Sequence, residues 1–284
     1  MSIAAKATPA VARYAAALRQ EICARNLAFA KKYKLAHCLS YGESPVVCYE
    51  PANDCHGNFL PQTYRAILAN PLWARRLKKA HTSARSALPR NDRGFWCELD
   101  SCNSSDALLM NVFCYPGVFD NDRIFSLLGL ENAAVPEFGF KARVPLLGGK
   151  FDRTEVDMRL GSLLVEAKLT ESDFQSREKS IVESYRDFVE VFDRKALPQT
   201  KDCYLSYQLI RNVLAAQANG SAFCVLCDGR RFDLLQAWYE IMRCVRSVDL
   251  RLRSKVLTWQ ELAAVLPHAL QTVLQEKYGI SANL

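Results

Sequence analysis

Three side chains near the middle of the chain could do chemistry together. Asp157 and Glu166 are carboxylates nine residues apart, and Lys168 follows Glu166 after a single residue. Apolar and polar residues alternate on both sides of Gly161 and Ser162, a pair suited to a two-residue hairpin turn with glycine at a position of positive φ. The pattern therefore predicts a β-hairpin that carries all three side chains.

The turn fixes the register of this hairpin, and a one-residue slip would destroy its apolar face. The apolar face would pair Leu160 with Leu163, Met158 with Val165 and Val156 with Ala167. The opposite face would pair Arg159 with Leu164, Asp157 with Glu166 and Glu155 with Lys168.

Two carboxylates that face each other across a strand pair destabilise a sheet by about 0.2–1 kcal/mol. A bound divalent cation removes that repulsion, and hard oxygen ligands with room for water suit Mg²⁺. The pair of Asp157 and Glu166 therefore predicts a magnesium site. The alternative is a solvent-exposed hairpin face whose charges bind no metal. In that case Glu155 and Lys168 form an ordinary cross-strand ion pair. For Glu155 that alternative is our preferred interpretation.

Other elements must hold this hairpin in place. The patterns predict helices over residues 10–35 and 61–80, and a helix through 107–113 that begins at the serine-rich segment 101–105. Strands are expected over 138–144, 153–160, 163–169 and 222–227, and further helices over 172–192, 203–218, 233–245 and 259–266. The order of helix, three-strand meander, helices, strand and helix is typical of an α/β domain with a mixed central sheet flanked by helices.

Asp157, followed after eight residues by Glu166-Ala167-Lys168, resembles the D…(D/E)-x-K signature of the PD-(D/E)XK nucleases, the restriction-endonuclease-like superfamily. The order of elements over residues 94–245 is similar to the common core of that superfamily. The segments 98–113 and 137–168 also resemble a group of uncharacterised bacterial restriction endonucleases. Val156 stands where the superfamily name has proline.

The resemblance implies roles for single residues. Asp157 and Glu166 would hold Mg²⁺, or Mn²⁺ as a substitute, with the main-chain carbonyl of Ala167 as a further ligand. Lys168 would orient the attacking water and stabilise the transition state. Family members often add a glutamate from a preceding helix, and either Glu98 or Glu137 could supply it.

The helix expected from Cys203 offers one more polar face. Tyr204, Gln208 and Arg211 would share that face, and members of the superfamily place a glutamine or a basic residue on this helix near the metal. The resemblance therefore makes Gln208 a candidate catalytic residue. The alternative is an exposed polar stripe behind an apolar face.

The net charge of +7 is unevenly distributed. The first 93 residues hold fifteen Lys and Arg against five Asp and Glu, so the remainder of the chain is slightly acidic. A concentrated basic surface suits a phosphate backbone, although a solvated basic face is the alternative. We therefore expect a basic helical extension over 1–93, a nuclease core over 94–250 and a C-terminal helical segment over 251–284 packed on the core.

The eleven cysteines are an odd number, and many lie in apolar runs. The pair Cys224 and Cys227 lacks the second pair of ligands that a structural zinc site needs. Without a recognisable secretion signal or an apolar run long enough to span a bilayer, we expect reduced thiols in a cytoplasmic protein with no membrane partner.

Together these observations predict a Mg²⁺-dependent deoxyribonuclease of restriction or defence type that binds DNA and could act as a homodimer. A repair or recombination nuclease on the same fold is one alternative. A non-catalytic DNA-binding protein is another, and a cysteine-dependent metal or redox protein is a third.

Overall fold

The structure is a computed structural model that describes residues 9–41, 45–52, 54–81 and 88–282. The chain divides into two compact units. The first consists of Gly139–Thr258 with the N-terminal residues up to Ala15, and the second consists of Ala16–Phe138 with Trp259–Leu284. The boundaries that charge and spacing suggest, at residues 93 and 250, stay a prediction.

Helices and strands alternate along most of the chain. The strands are β1 His37–Leu39, β2 Val47–Tyr49, β3 Glu137–Lys141, β4 Val144–Pro145, β5 Phe151–Asp152, β6 Glu155–Leu160, β7 Leu163–Ala167, β8 Ser176–Glu178, β9 Cys203–Leu205, β10 Ala222–Cys227 and β11 Ser254–Thr258. The α-helices are α1 Pro9–Lys32, α2 Pro61–Ala69, α3 Pro71–Ala74, α4 Ser105–Phe113, α5 Asp122–Leu128, α6 Lys179–Val182, α7 Phe188–Val191, α8 Tyr207–Asn219, α9 Phe232–Met242, α10 Val248–Leu252, α11 Trp259–Ala263 and α12 His268–Tyr278. Short 3₁₀ turns cover Arg75–Lys78, Glu98–Asp100 and Leu147–Gly149.

A mixed five-stranded sheet with the order β11-β10-β7-β6-β3 runs through the first unit. Strand β10 lies parallel to both β7 and β11, whereas β6 and β7 are antiparallel. Five of the six residues of β10 are buried, as expected for a parallel strand covered on both faces. The α/β class, with a mixed sheet and flanking helices, is confirmed.

The turn and the first three pairs of the β6–β7 hairpin form as the alternation predicts, but the ladder stops before the expected pairs Val156–Ala167, Asp157–Glu166 and Glu155–Lys168. Lys168 pairs with Glu166 in place of Glu155. Gly161 has a φ of 58°, which lets the chain turn within two residues. The paired register is Met158–Val165, Arg159–Leu164 and Leu160–Leu163.

Two predicted helices are wrong in part. Residues 172–192 form strand β8 and the short helices α6 and α7 in place of one long helix. Cys203 begins strand β9, so the helix starts only at Tyr207. Strand β8 pairs with β9 antiparallel. The hydrogen bonds between β8 and β9 outweigh the helical periodicity of both segments. The sequence patterns do not predict strand β11.

Helix α8 packs its apolar face into the core of the first unit. Leu209, Ile210 and Val213 are buried in one cluster with Val225 of β10 and Trp238 of α9. Its Gly220 C-cap adopts the left-handed conformation, which ends the helix before β10 begins. The helix is therefore a rigid support beside the sheet.

The second unit encloses a buried lysine. Lys277 of α12 is fully buried, and its ammonium donates to the carbonyl of Gly57 at 2.5 Å and to Oδ1 of Asn58 at 3.1 Å. The ring of Tyr49 lies 4.7 Å from the same nitrogen. A Cβ on Gly57 would meet that ring at 1.9 Å, so only glycine fits there. Burial lowers the pKa of Lys277 to about 7.

Helix α1 contributes to the same buried network. The side-chain amide of Asn26 donates to the carbonyl of Lys277 at 2.9 Å, and the hydroxyl of Tyr49 donates to Oδ1 of Asn26 at 2.9 Å. The predicted basic helix is thus part of the core of the second unit. Among the described helices, none combines the length and the apolar character that a membrane span requires.

Candidate active site

Asp157 lies on β6, one residue before the paired part of the hairpin. In an uninterrupted ladder of this register, the amide of Ala167 would donate to the main-chain carbonyl of Val156. The paired register instead ends at Met158 and Val165, and the Ala167 amide donates to Oδ2 of Asp157 at 2.8 Å. The carboxylate of Asp157 therefore lies beside the main chain between Glu166 and Lys168.

Glu166 is a buried carboxylate in the interior strand β7. Only 2% of the residue is exposed, and each of its oxygens accepts one hydrogen bond. Lys168 Nζ donates to Oε1 at 2.7 Å, and Asn212 Nδ2 of α8 donates to Oε2 at 2.8 Å. A buried charge is tolerated only when it is paired and hydrogen-bonded, and these two donors meet that condition.

Lys168 directly follows β7 and is 5% exposed. Its amide donates to the carbonyl of Leu226 at 2.7 Å, which fixes its main chain to β10. Burial alone would lower the pKa of the ammonium, but the negative charges of Glu166, Glu171 and Asp157 outweigh it and raise that pKa. Lys168 is therefore a permanent cation at neutral pH, with its ammonium 5.6 Å from the ring centre of Phe174.

Glu171 is an acidic residue of this site that the motif did not indicate. Its Oε2 accepts the amide of Leu169 at 2.6 Å, so its side chain turns back to the main chain next to Lys168. After Glu166, it is the acidic residue with the largest effect on the pKa of Lys168. A glutamate three residues after a lysine is too common in loops to have been recognised from the sequence.

One face of α8 carries polar groups whose hydrogen-bonding capacity is not filled. Among the described residues, no partner is found for the buried atoms Gln208 Oε1, Arg211 Nε, Arg211 Nη1 and Asn212 Oδ1. Arg211 does donate from Nη2 to the carbonyl of Glu155 at 2.8 Å. Buried polar groups of this kind normally bind ordered water or a ligand.

The structure brings some of the predicted residues together and not others. Tyr204 does not share a face with Gln208 and Arg211, because it lies on strand β9 and donates to Glu183 at 2.9 Å. Gln208 lies on α8, one turn before Asn212. Asn212 was missed, since a single asparagine inside a helix gives no signal.

The two candidate third carboxylates belong to the second unit. Glu98 lies in a 3₁₀ turn, where Lys79 Nζ contacts its Oε2 at 2.9 Å. Glu137 is the exposed first residue of β3. Their roles stay a prediction.

The donor set fits a magnesium ion that keeps much of its water. Within the described residues, no group of three or more His, Cys, Asp or Glu side chains has the geometry of a metal site. Mg²⁺ commonly binds through one or two carboxylates and retains several water ligands. Asp157 and Glu166 provide that number, and the orphaned oxygens of Gln208 and Asn212 are acceptors that suit bound water.

The mixed sheet, the hairpin with its Asp, Glu and Lys, and the supporting helix define a restriction-endonuclease-like protein. The sequence model of a family described as "Restriction Endonuclease associating with ARP" matches residues 25–279. This chain belongs to that family and is a nuclease of restriction type. No curated protein and no solved structure matches the chain.

Proposed function

We propose that the protein is a Mg²⁺-dependent deoxyribonuclease that cleaves DNA internally, as a restriction or defence endonuclease. The observation that carries this proposal is the joining of Asp157, Glu166 and Lys168 at one end of a hairpin. Burying Glu166 and Lys168 beside the half-buried Asp157 is costly unless the group serves a purpose beyond stability. A metal-assisted hydrolysis is such a purpose.

Asp157 and Glu166 would hold the metal, and the carbonyl of Ala167 is the third protein ligand in the proposal. When bound, Mg²⁺ supplies charge stabilisation at the phosphate and lowers the pKa of a coordinated water. Each oxygen of Glu166 accepts only one hydrogen bond from the described residues, so each would keep a lone pair for the metal. Lys168 and Asn212 would orient the carboxylate for that role.

Lys168 would act on the attacking water and on the developing negative charge. Its raised pKa keeps it protonated at neutral pH, so it serves as an electrostatic and hydrogen-bonding group. Proton removal from the water falls to another base or to the solvent. Glu171, close enough to influence Lys168, is a candidate for that base.

Exposed basic residues of the second unit support DNA as the partner. Arg19, Lys31, Lys34, Arg75 and Lys78 are exposed, and sequence-independent affinity for DNA comes from such phosphate contacts. A homodimer would provide the two active sites that double-strand cleavage usually needs. Both the dimer and the cytoplasmic location stay predictions.

The direct test is cleavage of supercoiled plasmid and of single-stranded DNA in Mg²⁺ or EDTA. Asp157→Asn and Lys168→Ala should each lower cleavage about 100-fold or more. Glu155→Gln, an exposed site on the same strand, and Lys201→Ala, an exposed lysine of the same unit, are matched controls that should retain activity. Circular dichroism of every variant separates loss of chemistry from loss of fold.

Three other outcomes would reject the proposal. Salt-sensitive DNA binding without cleavage under any divalent ion would indicate a non-catalytic DNA-binding protein. Cleavage restricted to recombination or repair intermediates would indicate a repair or recombination nuclease and not a restriction or defence endonuclease. Stoichiometric zinc or iron in the purified protein would indicate a cysteine-dependent metal or redox protein.

A further inference from the structure

Cys23 lines a cavity of the second unit that the nuclease reaction does not use. The cavity has a volume of about 270 Å³ and lies between α1 and the β1–β2 hairpin. Its walls are mostly apolar, and Cys23 itself is half-buried. Arg19 lies on the same wall of the cavity, one turn before Cys23 on α1.

A second thiol lies directly behind Cys23. The sulfur atoms of Cys23 and Cys102 are 4.0 Å apart, and Cys102 is fully buried. The side-chain amide of Asn103 contacts the Cys23 sulfur from Nδ2 at 3.6 Å. A disulfide needs about 2.05 Å between the sulfurs, so the two sulfurs must approach each other by about 2 Å. Cys23 thus has a neighbour able to form a bond with it.

The surroundings also favour the thiolate of Cys23. A hydrogen bond from Cys102, with further help from Asn103 and the charge of Arg19, lowers the pKa of Cys23 to about 7 against the effect of burial. The two cysteines that face each other in the β1–β2 hairpin behave in the opposite way. Burial raises the pKa of Cys38 to about 11 and also raises that of Cys48. Only the thiolate is a strong nucleophile, so Cys23 should react before either of them.

We propose that Cys23 is a site of oxidation by small hydroperoxides, with Cys102 as the thiol that resolves the product. The oxidant would reach Cys23 through the cavity between α1 and the β1–β2 hairpin, and Cys102 is buried behind Cys23. The proposal is independent of the nuclease function, because none of the residues involved belongs to the candidate active site.

The reaction proceeds in two steps. The Cys23 thiolate attacks one oxygen of hydrogen peroxide, the O–O bond breaks, and the released hydroxide takes a proton to leave as water. Cys23 is then a sulfenic acid, oxidised by two electrons while the peroxide is reduced. Burial raises the pKa of the Cys102 thiol, so its proton passes to the departing hydroxyl while its sulfur attacks the Cys23 sulfur, and the hydroxyl leaves as water. The product is a Cys23–Cys102 disulfide.

The test uses the full-length reduced protein, hydrogen peroxide as the probe and peptide mapping by mass spectrometry. Cys55 is the internal control, because it is exposed. We expect Cys23 to be consumed about fivefold or more faster than Cys55 and to appear linked to Cys102. In Cys102→Ser, the sulfenic acid at Cys23 should persist and be trapped by dimedone.

Several results would overturn the proposal. They are faster oxidation of Cys55 than of Cys23, a disulfide from Cys23 to Cys48 in place of Cys102, or no dimedone adduct at Cys23 in Cys102→Ser. Thermal unfolding checks that the variant is folded, and Cys102→Ala replaces it if it is not. If neither variant folds, the relative rates and the disulfide partner in the wild-type protein decide the matter.

Discussion

The side-chain amide of Asn212 donates to Oε2 of Glu166 over 2.8 Å, while Lys168 occupies the other oxygen of the same carboxylate. Asn212 is therefore the neutral partner that orients Glu166, and Lys168 is the charged one. This gives helix α8 a direct influence on the proposed metal ligand.

Asn212→Ala should weaken metal binding about 10- to 100-fold, because partners that orient a ligating carboxylate typically have effects of this size. Calorimetric titration with Mn²⁺, without DNA, measures the affinity apart from catalysis. Gln217→Ala on the same helix is the matched control and should bind metal as the wild type does. Equal affinities for Asn212→Ala and the wild type would show that Asn212 has no positioning role.

Removing one partner of the buried ion pair between Glu166 and Lys168 should destabilise the metal-free protein. Glu166→Gln leaves Lys168 without its closest counter-charge and should lower the free energy of unfolding by about 3 kcal/mol. The double variant Glu166→Gln with Lys168→Met should recover much of that loss, since no unpaired buried ammonium remains. Urea unfolding of the wild type, both single variants and the double variant measures the coupling. Strictly additive effects would mean that the two side chains do not stabilise each other.

Lys277 should make the free energy of unfolding rise as pH increases above about 7. The pKa of Lys277 is about 7 in the folded protein, whereas an ordinary lysine, as in the unfolded chain, has a pKa of 10.5. Between these two pH values the unfolded chain therefore binds more protons than the folded protein. The contribution of Lys277 to the free energy of unfolding therefore rises as pH increases from about 7 towards 10.5 and is constant below 7. Denaturant midpoints at pH 6, 7, 8 and 9 measure the effect against Lys277→Met.

The informative quantity is the difference between the wild type and Lys277→Met. That difference should shift in favour of the wild type as pH rises above 7, whatever the packing cost of methionine. A difference that stays constant from pH 6 to pH 9 would contradict the low pKa of Lys277.

The neighbouring residues Arg75 and Arg76 should have separate effects. Arg76 Nη2 contacts Oδ2 of the buried Asp106 at 2.6 Å, whereas Arg75 is exposed. Arg76→Ala should therefore lower stability by about 1–3 kcal/mol. Arg75→Ala should leave stability unchanged and reduce the slope of log affinity for DNA against log salt by about 0.9.

Thermal unfolding and fluorescence anisotropy at several salt concentrations measure the two effects. If Arg75→Ala leaves the salt slope unaltered, Arg75 makes no phosphate contact. Charge substitution is a better probe than deletion of the basic extension, because α1 carries Asn26 and is needed for the core.

The sequence predicts the hairpin well because its information is local. Alternation specifies the two faces, and Gly161 specifies the turn, so the register of Met158 with Val165 follows without knowledge of the rest. Strands β8 and β9 could not be predicted in this way. Each has three residues, and their pairing depends on two segments about 27 residues apart whose local patterns favour a helix. Tertiary contacts override such weak preferences.

The candidate site was predictable only where a motif exists. Asp157, Glu166 and Lys168 have characteristic spacing. Asn212 and Glu171 reach the site through folding, from positions 46 residues after Glu166 and three residues after Lys168. Their residue types are common in helices and loops, so nothing local distinguishes them.

The buried contacts of Lys277 also determine when the second unit can be completed during synthesis. Residues Ala16–Phe138 emerge from the ribosome before most of the five-stranded sheet and before α12, but Gly57 and Asn58 receive their partner only when α12 has been made. Every strand of the five-stranded sheet has been translated by then, since β11 ends at Thr258. Residues Ala16–Phe138 therefore stay incompletely packed through about 140 further residues of translation, and during that time they are open to aggregation or proteolysis in the nascent chain.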